Sequence, residues 1–178
     1  MVKTIAIVGP FSCGKTKLIE RYIKKRINNS YCSTIISDVH MDHGKNVLWD
    51  TPGNQRWVDD AKIAVKRSSG IIACFTPSVE SSFSNMIEII DTLDIGSKPL
   101  IFAATKTDLE FSIKETWSNE ARIRNAKIIP TSAKNGEGVA RLFKEILVLA
   151  TDVEIVLSRY EYATEQLGTC INYTTSFY

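Results

Sequence analysis

Eight consecutive residues, Gly9-Pro10-Phe11-Ser12-Cys13-Gly14-Lys15-Thr16, follow the spacing G-x-x-x-x-G-K-[ST]. Chemistry explains each fixed position. Glycines let backbone N–H groups close around phosphate oxygens, a lysine reaches the outer phosphates, and the final hydroxyl can ligate Mg²⁺. The run Pro10, Phe11, Ser12, Cys13, Gly14, Lys15, Thr16 and Lys17 is the candidate phosphate site. Three more polar clusters interrupt apolar runs: Asp50-Thr51-Pro52-Gly53, Thr105-Lys106-Thr107-Asp108 and Thr131-Ser132-Ala133-Lys134. An Asp closing a strand can hold Mg²⁺ through water, and the Gly53 N–H can sense a terminal phosphate.

The elements that must position these clusters are legible in the patterning. Residues 2–8 form an apolar, β-branched run that predicts a buried first strand. Residues 17–27 carry Leu18, Ile19, Tyr22, Ile23 and Ile27 at helical spacing. Strands are predicted over 35–41 and 46–49, joined by the turn Asp42-His43-Gly44-Lys45. The continuous apolar runs 70–75 and 100–104 are typical of central parallel strands, and 127–129 is a last strand. Helices are expected over 82–93 and 114–124, with a short one inside 54–69. An apolar period starting at Val139 continues past Ala150 and predicts one long helix reaching Arg159. Alternating strands and helices give an α/β fold class: a doubly wound, mostly parallel sheet with one antiparallel strand from a hairpin and helices on both faces. In such sheets ligands collect at the carboxyl ends of the strands, where all four clusters fall. Residues 1–160 read as the domain and 161–178 as a C-terminal tail.

Composition narrows the function classes. Of 178 residues, 44% are hydrophobic and 24% charged, as in an ordinary globular domain. A net charge of +2 gives no argument for nucleic acid or a membrane surface. Cys13, Cys32, Cys74 and Cys170 lack metal-site spacing and read as free thiols of a reducing, cytoplasmic compartment. His40 and His43 flank the turn and read as exposed hairpin residues. Trp49 is expected half-buried in its strand, and Trp57 is expected to meet a partner. Lys17, Arg21, Lys24, Lys25 and Arg26 read as a solvated basic face on the first helix.

With the four clusters in order, residues 3–150 resemble the Ras-like small GTPases, and among them the Rab branch. Trp49-Asp50-Thr51-Pro52-Gly53 is similar to W-D-T-A-G, Thr105–Asp108 to N-K-x-D, and Ser132-Ala133-Lys134 matches S-A-K. The resemblance implies a phosphate-loop GTPase fold and a switch that binds GTP or GDP with Mg²⁺ and hydrolyses GTP. Asp108 would accept from guanine N1 and its exocyclic amine, and Lys106 would lie along the base plane. The Ala133 N–H would meet O6, with Leu109, Ser132 and Lys134 beside it. Thr16, Thr34 and Asp50 would hold the metal directly or through water. Tyr31 would fold over the phosphates. Lys15, Thr34, Gly53, Asn54 and Gln55 form the catalytic set. Effectors, exchange factors and activating proteins would bind through residues 28–37 and 53–67.

Departures from the family pattern carry further expectations. Asn54 stands where the family has its catalytic glutamine; one methylene shorter, it should orient water poorly, with Gln55 as a possible substitute. Phe11 crowds the γ-phosphate position. Both point to slow intrinsic hydrolysis. Thr105 replaces an asparagine that ties the base loop to the phosphate loop, so the nucleotide grip is expected to loosen. Ile27 stands in for a base-stacking aromatic, and Pro52 stiffens the start of the second switch. No prenylation or myristoylation signal is recognised, so a monomer without a direct lipid anchor is expected, recruited to membranes only by partners. Two rival readings stand beside the GTPase: a nucleotide-binding decoy or interaction module for Rab partners with little turnover, and an ATP-dependent enzyme on the same phosphate loop.

Overall fold

The structure, a computed structural model, describes residues 2–25, 34–54, 56, 58–109 and 111–150. In chain order the elements are β1 (Thr4–Val8), α1 (Lys15–Lys24), β2 (Asp38–Met41), β3 (Val47–Asp50), α2 (Val58–Arg67) and β4 (Gly70–Phe75). They continue with α3 (Ser81–Leu93), β5 (Leu100–Ala104), α4 (Glu115–Ile123), β6 (Lys127–Pro130) and α5 (Val139–Leu149). The six strands form one sheet in the order β2-β3-β1-β4-β5-β6. Only the β2–β3 pair is antiparallel. This is the mostly parallel, doubly wound sheet read from the sequence.

Strand alternation divides the core into two layers. Successive side chains of a strand point to opposite faces, so Ile5 and Ile7 pack with Leu18 and Ile19 of α1 and with Leu142, Phe143 and Ile146 of α5. Ala6 and Val8 pack with α2, α3 and α4 on the other face. An aromatic group consolidates that second layer: Phe75 meets the edges of Phe83 and Trp117, each at 5.0 Å between centroids. Fully burying a side chain of this size contributes on the order of 1.5–3 kcal/mol. The register sets Ile7 beside Asp50, Phe75 beside Ala104 and Ala104 beside Pro130. Every loop that carries a polar cluster therefore leaves the same edge of the sheet.

Several expected boundaries move, each for a local reason. Helix α1 starts at Lys15 and stops at Lys24 because Lys25 turns left-handed (φ 55°), with its N–H on the Arg21 carbonyl. Strand β2 begins at Asp38, since the Ser37 N–H is taken by Asp60 Oδ2 at 2.6 Å. Helix α5 ends at Leu149, and Ala150 is extended (φ −67°, ψ 130°), so the expected unbroken helix to Arg159 is overturned at that residue. Hydrophobic period alone could not see the change in ψ. Trp49 is 7% exposed, not half-buried, because it lies opposite Ala6 and inside the α2-side layer. His43 is exposed as expected, whereas His40 is half-buried, 3.4 Å from Asp38 Oδ2. The hairpin turn is held by Asp42, which accepts from the Asn46 N–H at 2.7 Å and from the Tyr22 hydroxyl at 3.2 Å. Ile27, Tyr31, Gln55, Trp57 and the 161–178 tail lie outside the described residues.

Candidate functional site

The phosphate loop joins β1 to α1, and its glycines are demanded by space. A Cβ on Gly9 (φ 142°) would lie 2.3 Å from the Cys74 carbonyl oxygen, and Gly14 (φ 95°) occupies the left-handed region. Gly14 precedes α1 without a side-chain cap, so the first-turn N–H groups of the helix are left to face an anion. The buried Lys15 ammonium is steered back over the loop by the carbonyls of Gly9 at 2.9 Å and Pro10 at 3.0 Å. Lys17 turns its ammonium to Glu20 at 3.0 Å. Phe11 stands 58% exposed at the rim.

Asp50, at the end of β3, faces Thr16 and Thr34. Its Oδ2 accepts from the Thr16 hydroxyl at 2.6 Å and the Thr34 hydroxyl at 3.3 Å, and the two hydroxyls are 3.1 Å apart. Burial pushes the Asp50 carboxyl above its ordinary range, against the opposing pull of Thr16 and Lys15. Its Oδ1 is buried with no hydrogen-bond partner among the described residues. One carboxylate with an open oxygen and two hydroxyls is a hard, oxygen-only donor set. It fits Mg²⁺, which takes few protein ligands and shares the rest with water and phosphate. Among the described residues no three His, Cys, Asp or Glu side chains converge, so no transition-metal set competes with it.

Gly53 lies directly against the phosphate loop: a Cβ there would be 2.6 Å from the Phe11 nitrogen and 2.7 Å from Lys15 Nζ. A glycine is therefore needed for this approach. Asn54 is exposed, and its Oδ1 accepts from the Arg56 N–H at 3.0 Å. The carboxamide thus caps its own turn.

The loops after β5 and β6 form a second cluster. Asp108 Oδ1 accepts from the Ser132 hydroxyl at 2.7 Å, and Oδ2 lies 3.6 Å from Lys134 Nζ. The Ser132 hydrogen bond, with Lys134, holds the Asp108 carboxyl below its ordinary range, so it is an acceptor at neutral pH. Lys106 (φ 57°) reaches back to the Ser12 carbonyl at 2.9 Å, spanning from this cluster to the phosphate loop. Leu109 is half exposed beside it. Ser132 is buried, while Ala133 sits in the loop between it and the exposed Lys134.

Two residues of the site, Thr76 and Arg21, escaped the sequence reading, and the partners of a third, Thr105, were not specified by it. Thr105, expected to tie the loops poorly, puts its hydroxyl 2.6 Å from the Cys13 carbonyl and 2.9 Å from the Phe75 carbonyl. Thr76 supplies a second hydroxyl 3.2 Å from that of Thr105. Its position just after β4 was the available signal. Arg21, read as part of a solvated basic face, instead bonds the carbonyls of Ala133 and Lys134 through Nε and Nη2. Nothing in the linear pattern separates it from its basic neighbours. The Cys13 and Cys74 thiols are buried behind the loop. Burial raises the Cys13 pKa, but a Cys74 hydrogen bond and the charges of Lys15 and Lys106 outweigh it and bring the thiol down to about 7. Cys74, as the donor partner, is pushed up.

A phosphate cradle after β1, with the Asp108 carboxylate on a loop two strands along the sheet, defines a phosphate-loop nucleotide-binding protein. Residues 4–152 match the Ras family, and the chain belongs to it. It is 26% identical over 171 residues to the GTP-binding protein drn-1 of Caenorhabditis elegans, covering 86% of this chain and 78% of that one. It is 27% identical to a Ras and EF-hand domain-containing protein homolog of the same organism, of which it spans 27%. It is 29% identical to Ras-related protein Rab-13 of Mesocricetus auratus, covering 80% of this chain and 76% of that one. At this level the chain is a GTP-binding protein of the Ras superfamily. Among the described residues no helix is long and apolar enough to cross a membrane.

Proposed function

We propose that this protein is a Rab-like GTP/GDP switch that hydrolyses GTP to GDP and phosphate with Mg²⁺, slowly on its own. The observation that carries the reading is Asp108, oriented by Ser132 at 2.7 Å beside Lys106. A fixed carboxylate acceptor suits the N1–H and exocyclic amine of guanine, which adenine cannot offer. Thr16, Thr34 and Asp50 would hold Mg²⁺, which when bound neutralises charge on the outer phosphates. Water attacks the γ-phosphorus as the bond to the β–γ bridging oxygen breaks. Lys15 and the loop amides stabilise the charge that develops there. Among the described residues no side chain is set as a strong general base, and Asn54 accepts from the Arg56 N–H. That last contact also favours a second reading, a nucleotide-binding module for Rab partners with little turnover.

Effectors, exchange factors and activating proteins would dock on residues 28–37 and 53–67. The exposed Ile35, Ile36 and Ile63 support this surface. A cytoplasmic setting, with recruitment through such partners, is part of the proposal. The test is competition binding. GTP and GDP displace a fluorescent guanine nucleotide far better than ATP, and Asp108→Ala removes the preference. Tighter binding of ATP would overturn the guanine reading in favour of an ATP-dependent enzyme.

A further inference from the structure

Arg21 lies on the phosphate-loop helix, outside every cluster that contacts nucleotide in the reading above. Its guanidinium nevertheless makes three backbone contacts. Nε donates to the Ala133 carbonyl and Nη2 to the Lys134 carbonyl, while Nη1 donates to the Lys25 carbonyl at 2.7 Å. The aliphatic stem runs under Gly136, whose added Cβ would sit 3.7 Å from Arg21 Cδ. One planar fork therefore fixes two successive carbonyls of the loop after β6 to the helix that carries Lys15 and Thr16.

We propose that Arg21 is a positioning residue for guanine recognition, setting the peptide of Ala133 so that its N–H addresses O6 of the base. This rests on the guanine reading and extends it. Arg21 fixes the two peptides that follow the Ala133 Cα, and the Gly136 N–H holds the Ser132 carbonyl before it at 2.8 Å, which leaves the turn little freedom to rotate. The Ala133 N–H, on the Ser132–Ala133 peptide, is aimed by this turn, and Arg21 sets where the turn sits against α1. Asp108 lies on the loop after β5, which Arg21 does not touch, and its nearer partner Ser132 is tied by its own N–H to the Glu137 carbonyl at 2.9 Å. O6 recognition thus leans on Arg21 more directly than amine recognition does, and the two can be separated by experiment. A lysine cannot replace the fork, since a single ammonium lacks the planar, multi-donor geometry.

The experiment measures dissociation constants of GDP, 6-thio-GDP and IDP for the full chain and for Arg21→Met and Arg21→Lys. Sulfur at position 6 weakens the acceptor that faces Ala133 and leaves the N1–H and the amine in place for Asp108. IDP lacks only the amine that faces Asp108. The expected result is that both variants lose the preference for GDP over 6-thio-GDP by about tenfold, the scale of one well-made hydrogen bond, while the GDP-over-IDP preference stays at its wild-type value. Should Arg21→Met not fold, Arg21→Lys carries the same comparison. An unchanged 6-thio ratio in the variants, or an equal fall in both ratios, overturns the positioning role and leaves the guanine reading standing. A wild-type protein with no preference for GDP over ADP overturns both.

Discussion

The Thr105 hydroxyl lies 2.6 Å from the carbonyl oxygen of Cys13, joining the loop after β5 to the phosphate loop across 92 positions of sequence. A hydroxyl has one proton and cannot donate to the Cys13 and Phe75 carbonyls together. The neighbouring Thr76 hydroxyl, 3.2 Å away and within 3.5 Å of the Cys13 carbonyl, provides the second. Two short side chains, each just past the end of its strand, thus share the Cys13 carbonyl.

Thr105→Val removes the donor while keeping the shape. The Cys13 carbonyl then loses its nearer hydroxyl, while the Phe75 carbonyl keeps the Thr105 N–H, at a cost of about 0.5–1.5 kcal/mol. Urea denaturation should show that loss, and GDP dissociation should accelerate by about tenfold or more. Thr105→Ser should stay near wild type in both. A Thr105→Val protein with wild-type GDP release would show that the tie does not support nucleotide grip.

Asn54 holds the Arg56 N–H at 3.0 Å. Glutamine at that position is one methylene longer and too long to make the same tight turn, so its carboxamide is free to reach a water beside the γ-phosphate. Single-turnover GTP hydrolysis by Asn54→Gln should rise by about tenfold or more, part of the acceleration available from orienting the nucleophile. Phe11→Ser, by opening the rim, should add to it. A wild-type rate already typical of the family and unmoved by either change would remove the slow-switch and module readings together.

Cys13 gives a pH dependence. Burial opposes its thiolate, yet the Cys74 hydrogen bond and the charges of Lys15 and Lys106 lower its pKa from 9.0 to about 7 in the folded protein. Between those values the unfolded chain binds more protons than the folded one, so stability rises with pH across the window and is lost as pH falls through about 7. Cys74 moves upward and acts only above 9.0. Urea midpoints of nucleotide-free protein should climb between about pH 7 and 9, and Cys13→Ser should flatten that slope. With GDP bound, phosphate offsets the Lys15 charge, and ultraviolet thiolate absorbance should report a higher titration midpoint. A Cys13→Ser protein with an undiminished slope would assign the effect elsewhere.

The sequence by itself determined the phosphate loop, because each of its fixed positions answers a local demand that any fold would impose. Gly9 and Gly14 must both adopt positive φ, and Lys15 and Thr16 follow at once in the chain. It determined the β4 and β5 strands as well, since a strand buried on both faces needs an unbroken apolar run. Tertiary structure alone decided what depends on contacts distant in sequence. Thr105 became a tie only because β4 and β5 pair in a register that sets Phe75 beside Ala104. Arg21 gained its backbone partners only because α1 and the loop after β6 meet on the same side of the sheet, where two carbonyls needed donors. Helix α5 stopped at Leu149 through a backbone turn that hydrophobic spacing does not encode. Local backbone requirements are written in residue types, whereas the partners of a hydroxyl or a guanidinium are fixed only when the sheet assembles.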